Sequence, residues 1–311
     1  MSLRKKGRLV SGWLILDKPY KMGSMNAVSR IRSLFQAQKA GHAGTLDPLA
    51  TGMLPVALGE ATKTIPYVID GQKSYIFTVC WGNQTNTDDA EGEVIKSSKR
   101  RPNLEEIKAI LGNFTGVISQ VPPNFSAIKI GGCRAYTQAR SGLYMKIPAR
   151  KVIILSLNLV RMIDDDHSSF EIKCSKGTYV RSLARDLALN LGCYGHISAL
   201  RRLDVYPFSE KQMVKIDKLE RFQNILEEMD SHLLSPSVAL ADSTHISISR
   251  DQARRIVVGN SIFLCDDSIS DSDEKERVCL AYKGRLLAVG HCHQGVFYPK
   301  RVLSQSSALA S

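Results

Sequence analysis

No stretch of this 311-residue chain approaches the roughly 18 consecutive apolar residues that a membrane-spanning helix requires. The basic start, Arg4-Lys5-Lys6-Gly7-Arg8, has the look of a secretion signal, but the apolar run behind it is broken at Ser11-Gly12 and ends at Asp17-Lys18. That is too short for the hydrophobic region of a signal peptide, so a soluble, cytoplasmic protein is expected. Cysteine is sparse: seven residues, at 80, 133, 174, 193, 265, 279 and 292, an odd number with no CxxC spacing. Neither a disulfide framework nor a zinc ribbon fits that pattern. There is no P-loop and no GxGxxG, which leaves nucleotide hydrolysis and dinucleotide redox chemistry without support. A nucleophile elbow is missing too. His291-Cys292-His293 has metal-ligand types without enough partners, and Asp88-Asp89-Ala90-Glu91-Gly92 lacks the ligand alternation of a calcium loop. No metal site is expected from these residues, and no repeat of fixed period is present.

What the chain has in excess is positive charge. Lys and Arg number 42 against 30 Asp and Glu, a formal net charge of +12. Residues 1–240 carry 33 basic and 22 acidic side chains, net +11, whereas residues 241–311 carry 9 and 8, net +1. A concentrated excess of this kind raises the local concentration of a polyanion, so nucleic acid or an anionic membrane surface is the favoured partner. At 43% hydrophobic and 23% charged residues the composition is that of an ordinary globular chain, and its length suggests about two domains.

Residues 12–18 read as a buried strand, followed by a Gly23-Ser24 turn and a helix with apolar positions Ala27, Val28, Ile31, Leu34 and Phe35, which Ser24 can cap. The glycines and prolines between Lys39 and Pro55 predict a long irregular segment. Strands are expected at 73–81, 151–160 and 169–174, a short helix over 104–111 closed by Gly112, an amphipathic stretch over 135–140, and a turn passing into a helix over 176–192 with Gly192 just past its end. Asp88, Asp89 and Gly92 read as a polar connection. Short strands near 244–248, 261–265, 277–282 and 285–291 suggest a small β-rich module. An acidic loop lies at 266–276, and Ser304 to Ser311 reads as a frayed tail.

Asp47 is the first candidate for chemistry. A lone Asp-Pro pair usually does no more than initiate a turn, but here Gly41, Gly44 and Gly52 permit close backbone approach, His42 precedes it by five residues, and basic residues including Lys63 flank the loop. A single carboxylate beside a polyanion site suggests a nucleophile or a base. Tyr75 and Tyr179, each alone a packing residue, could stack on an extruded base. Tyr179 and Arg181 are two apart, so in an extended segment both face one side, and Arg181 could then reach Asp47 and favour its ionised form. No second carboxylate faces Asp47 from its own segment, against glycoside hydrolysis.

At these residues the sequence resembles the TruB family of pseudouridine synthases. Gly41 to Pro55, GHAGTLDPLATGMLP, looks like the catalytic motif of that family. Further matches lie at Asp17-Lys18-Pro19, at Gln120 to Lys129 (QVPPNFSAIK), at Lys176 to Arg181 (KGTYVR) and at Leu200-Arg201-Arg202-Leu203, all in order between residues 12 and about 207. Met25 is a small departure, where the family more often has a small polar residue, and is expected to affect packing. The resemblance implies an α+β fold: a catalytic domain with a mixed, mostly antiparallel sheet over residues 1–238, a C-terminal PUA-like RNA-binding module over 239–303, and a tail over 304–311. It implies isomerisation of uridine 55 in the T loop of tRNA to pseudouridine, without cofactor or metal. Asp47 is then the catalytic carboxylate, with three roles open to it: attack at C6 of the base, attack at C1′ of the sugar, or removal of a sugar proton. By the same carry-over His42 fills the space the flipped base leaves, Tyr75 stacks on the uracil, Tyr179 and Leu200 line its pocket, and Arg181 is the ion partner of Asp47. Lys18, Lys63, Lys129, Arg201 and Arg202 contact phosphates or support the site. The implied partner is the T arm of tRNA, taken by a monomer with no obligate protein partner and no membrane. The long lysine-rich tails of the family's guide-RNA-dependent branch are not seen. A non-catalytic protein that binds and folds tRNA is the alternative with the same charge and module composition.

Overall fold

The structure, a computed structural model, describes residues 7–143, 145–264 and 275–303, without the side chains of Lys129, Ile130 and Arg134. The predicted tail and residues 265–274, which hold most of the acidic loop, lie outside the described residues.

The chain opens with β1 (Gly12–Lys18), α1 (Ser24–Leu34), β2 (Ala40–His42), β3 (Thr51–Leu58), α2 (Ile65–Ile69) and β4 (Lys73–Trp81). A hairpin of β5 (Asn83–Thr85) and β6 (Val94–Ser97), α3 (Leu104–Leu111) and β7 (Gly116–Gln120) follow. The middle holds the short pair β8 (Lys129–Ile130) and β9 (Cys133–Arg134), α4 (Ala135–Arg140), β10 (Arg150–Met162) and β11 (His167–Cys174). Then come α5 (Val180–Asn190), β12 (Gly195–Val205), β13 (Val214–Lys215), α6 (Ile216–Arg221) and α7 (Leu226–Ser231). The last part consists of β14 (Thr244–Ser247), α8 (Arg250–Val257), β15 (Ile262–Phe263), β16 (Lys275–Tyr282), β17 (Arg285–His293) and β18 (Val296–Val302).

The large sheet runs in the order β13-β1-β3-β12-β4-β11-β10-β7, with β2 paired to β3. It is mixed and mostly antiparallel: among the described residues, only β1 with β13 and β12 with β3 pair parallel in it. Apolar residues explain why its centre is covered on both faces. Leu14 and Leu16 of β1 pack into one core with Leu54, Val56 and Phe77, whereas Trp13 and Ile15 join Met53, Ala57 and Phe208 on the other side. A strand buried on both faces reads as a continuous apolar run rather than an alternation, which is what the Leu54 to Leu58 stretch of β3 is. The small sheet, ordered β14-β16-β17-β18-β15, has its own core around Ile246, Leu280 and Phe297. It meets the large sheet's unit through Leu240, Cys279, Val289 and Leu303 packed with Tyr67, and through Arg277 lying 5.1 Å from the centre of the Tyr67 ring.

Several expectations are corrected. The segment from Lys39 to Pro55 is irregular only over 43–50, because β2 and β3 flank it. Ser24 does not cap α1, since Gly23 occupies that position. Met25 is exposed, so it carries no packing role. Beyond Gly112 the chain continues as a 3-10 turn to Phe114. Gly192, at φ +69, does follow the end of α5 as expected. Two elements of the small module, α8 and β18, were not anticipated: α8 holds only Ala253 and Ile256 as buried residues, and Pro299 argues against a strand in sequence terms. Pro299 sits opposite Gly290, beside a register irregularity that accommodates it.

One glycine fixes how the central parallel pair approaches. Gly52 has φ +94 and stands opposite Arg202, and a Cβ there would lie 2.2 Å from the Arg202 carbonyl oxygen. Both the left-handed backbone and the close approach exclude a side chain. Gly52→Ala is therefore expected to lower stability by about 2–4 kcal/mol, measured as the shift in urea midpoint at unchanged slope.

Candidate active site

Residues 43–50 form the loop that carries Asp47, and three groups from different elements hold it. The Ser24 hydroxyl, on the first turn of α1, donates to the Leu46 carbonyl at 2.7 Å and accepts from the Leu46 N–H at 2.8 Å. Lys18, at the end of β1 and with no exposed surface, donates its three ammonium protons to the carbonyls of Pro19 (2.9 Å), Met22 (2.8 Å) and Pro48 (3.2 Å). Arg202 on β12, 1% exposed, donates to the carbonyls of Met53 (2.7 Å), Thr45 (3.2 Å) and Gly44 (3.1 Å). A buried cation is tolerated only where every donor finds an acceptor, and here the acceptors are main-chain carbonyls of the loop and its flanks. Burial brings the Lys18 pKa down to about 8, against the opposing pull of the Asp47 carboxylate and with the help of Arg202. Lys73, at the start of β4, is buried in the same neighbourhood and donates to the Ile69 and Gly71 carbonyls, its pKa also brought down to about 8, by burial first and then by Arg202.

Asp47 projects from this braced loop with about a third of its side chain exposed, into the pair it makes with Arg181. Nε of Arg181 lies 2.9 Å from Oδ2 and Nη2 lies 3.3 Å from Oδ1, a two-point contact. Arg181 itself is buried. Nη1 donates to the Thr87 carbonyl (3.0 Å), Nη2 to the Phe125 carbonyl (3.0 Å), and Asp89 lies 3.5 Å from Nη1. Asp89 is fixed in turn by the Thr87 hydroxyl at 2.6 Å and the Glu91 N–H at 3.0 Å. The guanidinium is thus locked in orientation by the hairpin of β5 and β6 and by the 121–126 loop. Its route to Asp47 differs from the expected one. Tyr179 is the extended residue that starts α5, whereas Arg181 lies in the first helical turn and reaches Asp47 from there. Asp47, Asp89, Arg181 and Leu200 line one cleft of about 270 Å³, counting its open mouth.

The aromatic candidates come from two elements and do not line that cleft, although both lie within electrostatic reach of Asp47. Tyr75 lies on β4 opposite Arg202 and is 7% exposed. Burial pushes its phenol pKa up, Arg202 pulls it down, and Asp47 is close enough to add to the upward push. Tyr179 is half-buried, and its main chain is clamped by the Gln120 side chain, which accepts from the Tyr179 N–H at 2.8 Å and donates to its carbonyl at 3.1 Å. Its phenol pKa is also raised, mainly by burial, with Asp47 again within reach. His42 ends β2 with its Nδ1 enclosed and without a well-formed hydrogen bond, the backbone of Gly44 beside the ring. Burial, then the Arg202 charge, keeps its pKa down and the imidazole neutral.

The looser basic candidates fall into scaffold positions. Lys18 and Arg202 have no surface to offer a phosphate. Lys63 bonds Glu60 at 2.6 Å and the Val302 carbonyl at 2.7 Å, tying the two sheets together. Arg201 pairs with Asp17 at 2.9 Å and Glu210 at 3.3 Å. The Lys129 side chain lies outside the described residues. Residues that sequence reasoning passed over include Ser24, Lys73, Asp89 and the clamp Gln120. Adjacent aspartates at 88 and 89 facing arginines at 181 and 185, one helical turn apart, were the available signal for the Asp89 contact.

A carboxylate held at two points by a buried guanidinium, on a loop braced by two further cations and within electrostatic reach of two tyrosines, matches the residues of the motifs described above. Residues 32–180 match the family model described as TruB family pseudouridylate synthase (N terminal domain), and residues 181–243 match the tRNA pseudouridylate synthase B C-terminal domain. The chain belongs to the TruB family of pseudouridylate synthases. Among its curated relatives, tRNA pseudouridine synthase B of Brucella ovis is 51% identical, the match covering 97% of this chain and 98% of the relative. The Sinorhizobium medicae protein of the same name is 52% identical with the same coverage. Of solved structures, an H/ACA ribonucleoprotein bound to a substrate RNA containing 2′-deoxyuridine has a chain of the same fold: TM-score 0.73, 19% identity, 99% of this chain and 93% of that one. A chain of a Cbf5-Nop10-Gar1 complex aligns with TM-score 0.70 at 21% identity over 96% of this chain and 86% of that one.

Lys18 gives a pH signature of the brace. Its folded pKa of about 8 lies below the unfolded value of 10.5, so between those values the unfolded chain binds more protons and the Lys18 contribution to stability rises with pH. The stability difference between the native chain and Lys18→Met is expected to shift in favour of the native chain as pH rises from 8 to 10, by at most about 1.4 kcal/mol per pH unit. Urea unfolding of both chains across that range tests it, and a flat difference would contradict the lowered pKa of the buried lysine.

Proposed function

We propose that this chain is a stand-alone tRNA pseudouridine synthase that isomerises uridine 55 in the T loop, with Asp47 as the catalytic carboxylate. The observation that carries the reading is the two-point ion pair between Asp47 and buried Arg181 at the edge of a cleft lined by Leu200, in a chain of this family. The target base is stacked inside the tRNA, and flipping it costs a few kcal/mol before any chemistry begins. In this reading the flipped uracil stacks on Tyr75, Tyr179 and Leu200 bound its pocket, and the neutral imidazole of His42 takes the place the base vacates without adding charge.

The reaction breaks the N1–C1′ bond, turns the uracil, forms C5–C1′ and moves a proton from C5 to N1, so the product is an isomer of the substrate and no co-reactant is consumed. Each role open to Asp47, attack at C6, attack at C1′ or removal of a sugar proton, starts from the ionised carboxylate. Arg181 holds both carboxylate oxygens in place while leaving lone pairs free on each. Residues 1–238 form the catalytic unit in this proposal, and 239–303 form a PUA-like RNA-binding module that contributes an auxiliary contact. The protein acts as a cytoplasmic monomer on the T arm alone.

Asp47→Asn separates this reading from a tRNA-binding or folding protein. On a T-arm stem-loop with no other RNA, turnover is expected to fall by at least about 1,000-fold while the dissociation constant stays within about twofold; continued conversion of uridine would sink the assignment. Phosphate contacts on the catalytic unit also require log Kd to rise steeply with log salt concentration. Lys63→Met should leave that slope unchanged, because its ammonium is committed to Glu60 and Val302; a slope reduced by about one would make Lys63 a phosphate contact.

A further inference from the structure

Behind Arg181 lies a second ion pair, between Arg185 and Asp88. Nη1 of Arg185 is 2.9 Å from Oδ2 of Asp88, and both side chains are largely buried. Arg185 also donates to the Val121 carbonyl (2.9 Å) and to Asp186 (2.9 Å), the latter a more exposed carboxylate that water can serve. Asp88 is a non-glycine residue at φ +58 whose carbonyl accepts from the Ile197 N–H on the wall of the cleft. This left-handed residue turns the side chains of Asp88 and Asp89 to two different arginines on successive turns of α5. Arg181 donates to the carbonyl of Thr87, the residue before Asp88, and lies within electrostatic reach of the Asp88 carboxylate.

Three carboxylates, Asp47, Asp88 and Asp89, therefore compete for cations in one place, and Arg181 alone has contacts to two of them. We infer that Arg185 is a positioning residue which acts by neutralising Asp88, so that Arg181 remains on Asp47 instead of being drawn toward the hairpin. The inference rests on the proposed catalytic role of Asp47. A plain structural bridge predicts that either partner is equally costly to lose. Neutralisation predicts an asymmetry: losing Arg185 leaves a buried carboxylate that only the Gln84 side chain and Arg181 can compensate, so that it draws Arg181 toward itself, whereas losing the Asp88 charge removes the competitor. Asparagine also tolerates the left-handed backbone and can still accept from Arg185.

Steady-state kinetics on the T-arm stem-loop, with thermal unfolding of each protein, tests this in the native chain, Arg185→Gln, Asp88→Asn and the double variant. Arg185→Gln is expected to lose about 10-fold in kcat, the size of a small misplacement of reacting groups, with KM within twofold. Asp88→Asn and the double variant are expected to stay within about threefold of native kcat. The inference is overturned if folded Arg185→Gln keeps native kcat, if Asp88→Asn is as impaired as Arg185→Gln, or if the double variant shows no recovery. Should Arg185→Gln not fold, Asp88→Asn and the double variant still decide: a tenfold loss of kcat in either overturns the inference. An inactive native chain would instead refute the proposed function.

Discussion

The constraint on which the rest of this structure depends is the need to bury a guanidinium next to a carboxylate that must stay open on one side. An arginine taken out of water keeps its charge and must place its donors on acceptors. Arg181 does so by drawing on three segments far apart in sequence: the Asp47 loop, the hairpin at 85–92 and the loop at 121–126. Each segment is in turn anchored to the sheet or to α5. Ser182 donates to the Val121 carbonyl, and Gln120 grips the backbone where α5 begins. The orientation of one side chain is thus bought with the conformations of three loops, which explains why the family motifs are scattered along the chain yet meet in space.

The same reasoning accounts for the second tier. The loop from Ala43 to Ala50 has too few side chains of its own to hold a shape. Lys18, Arg202 and Ser24 act on its main chain instead, from β1, β12 and α1. Strand β3 then leaves the loop between β1 and β12, and Gly52 lets it pass close to Arg202. Loop, glycine and arginine form one unit: the close approach that only glycine permits also sets Arg202 within reach of the Gly44 and Thr45 carbonyls.

Much of the fold was legible because the long strands and helices carry strong periodicity: Gly12–Lys18, Lys73–Trp81 and Val180–Asn190 lie where apolar spacing puts them. The candidate residues Asp47, Arg181 and Leu200 were legible through motif resemblance, and they do line one cleft. Less legible was anything decided by long-range pairing. Strands β2 and β3 were hidden by glycines that a strand accepts once neighbours dictate its backbone. Asp89 read as part of a polar connection because the arginine that buries it lies 92 positions later in the sequence. The basic residues show the limit most sharply, since a sequence supplies the charge of Lys18 or Arg202 but not whether the charge faces outward.

That last point changes what the net charge of +12 means. Lys18, Lys73 and Arg202 are buried, and their hydrogen bonds go to main-chain carbonyls rather than to carboxylates. Carbonyl dipoles solvate a cation without cancelling it, so part of the positive field originates inside the protein around the Asp47 loop, in a medium that screens it less than water does. Surface lysines draw in a polyanion at long range, and salt weakens them. Buried cations beside a site act at short range, where they are least screened, and they favour whatever negative charge the reaction places there. In this chain the two sets share one sign, so the field that gathers the RNA and the field of the buried cations reinforce each other, and the partly exposed carboxylate of Asp47 stands within reach of the second.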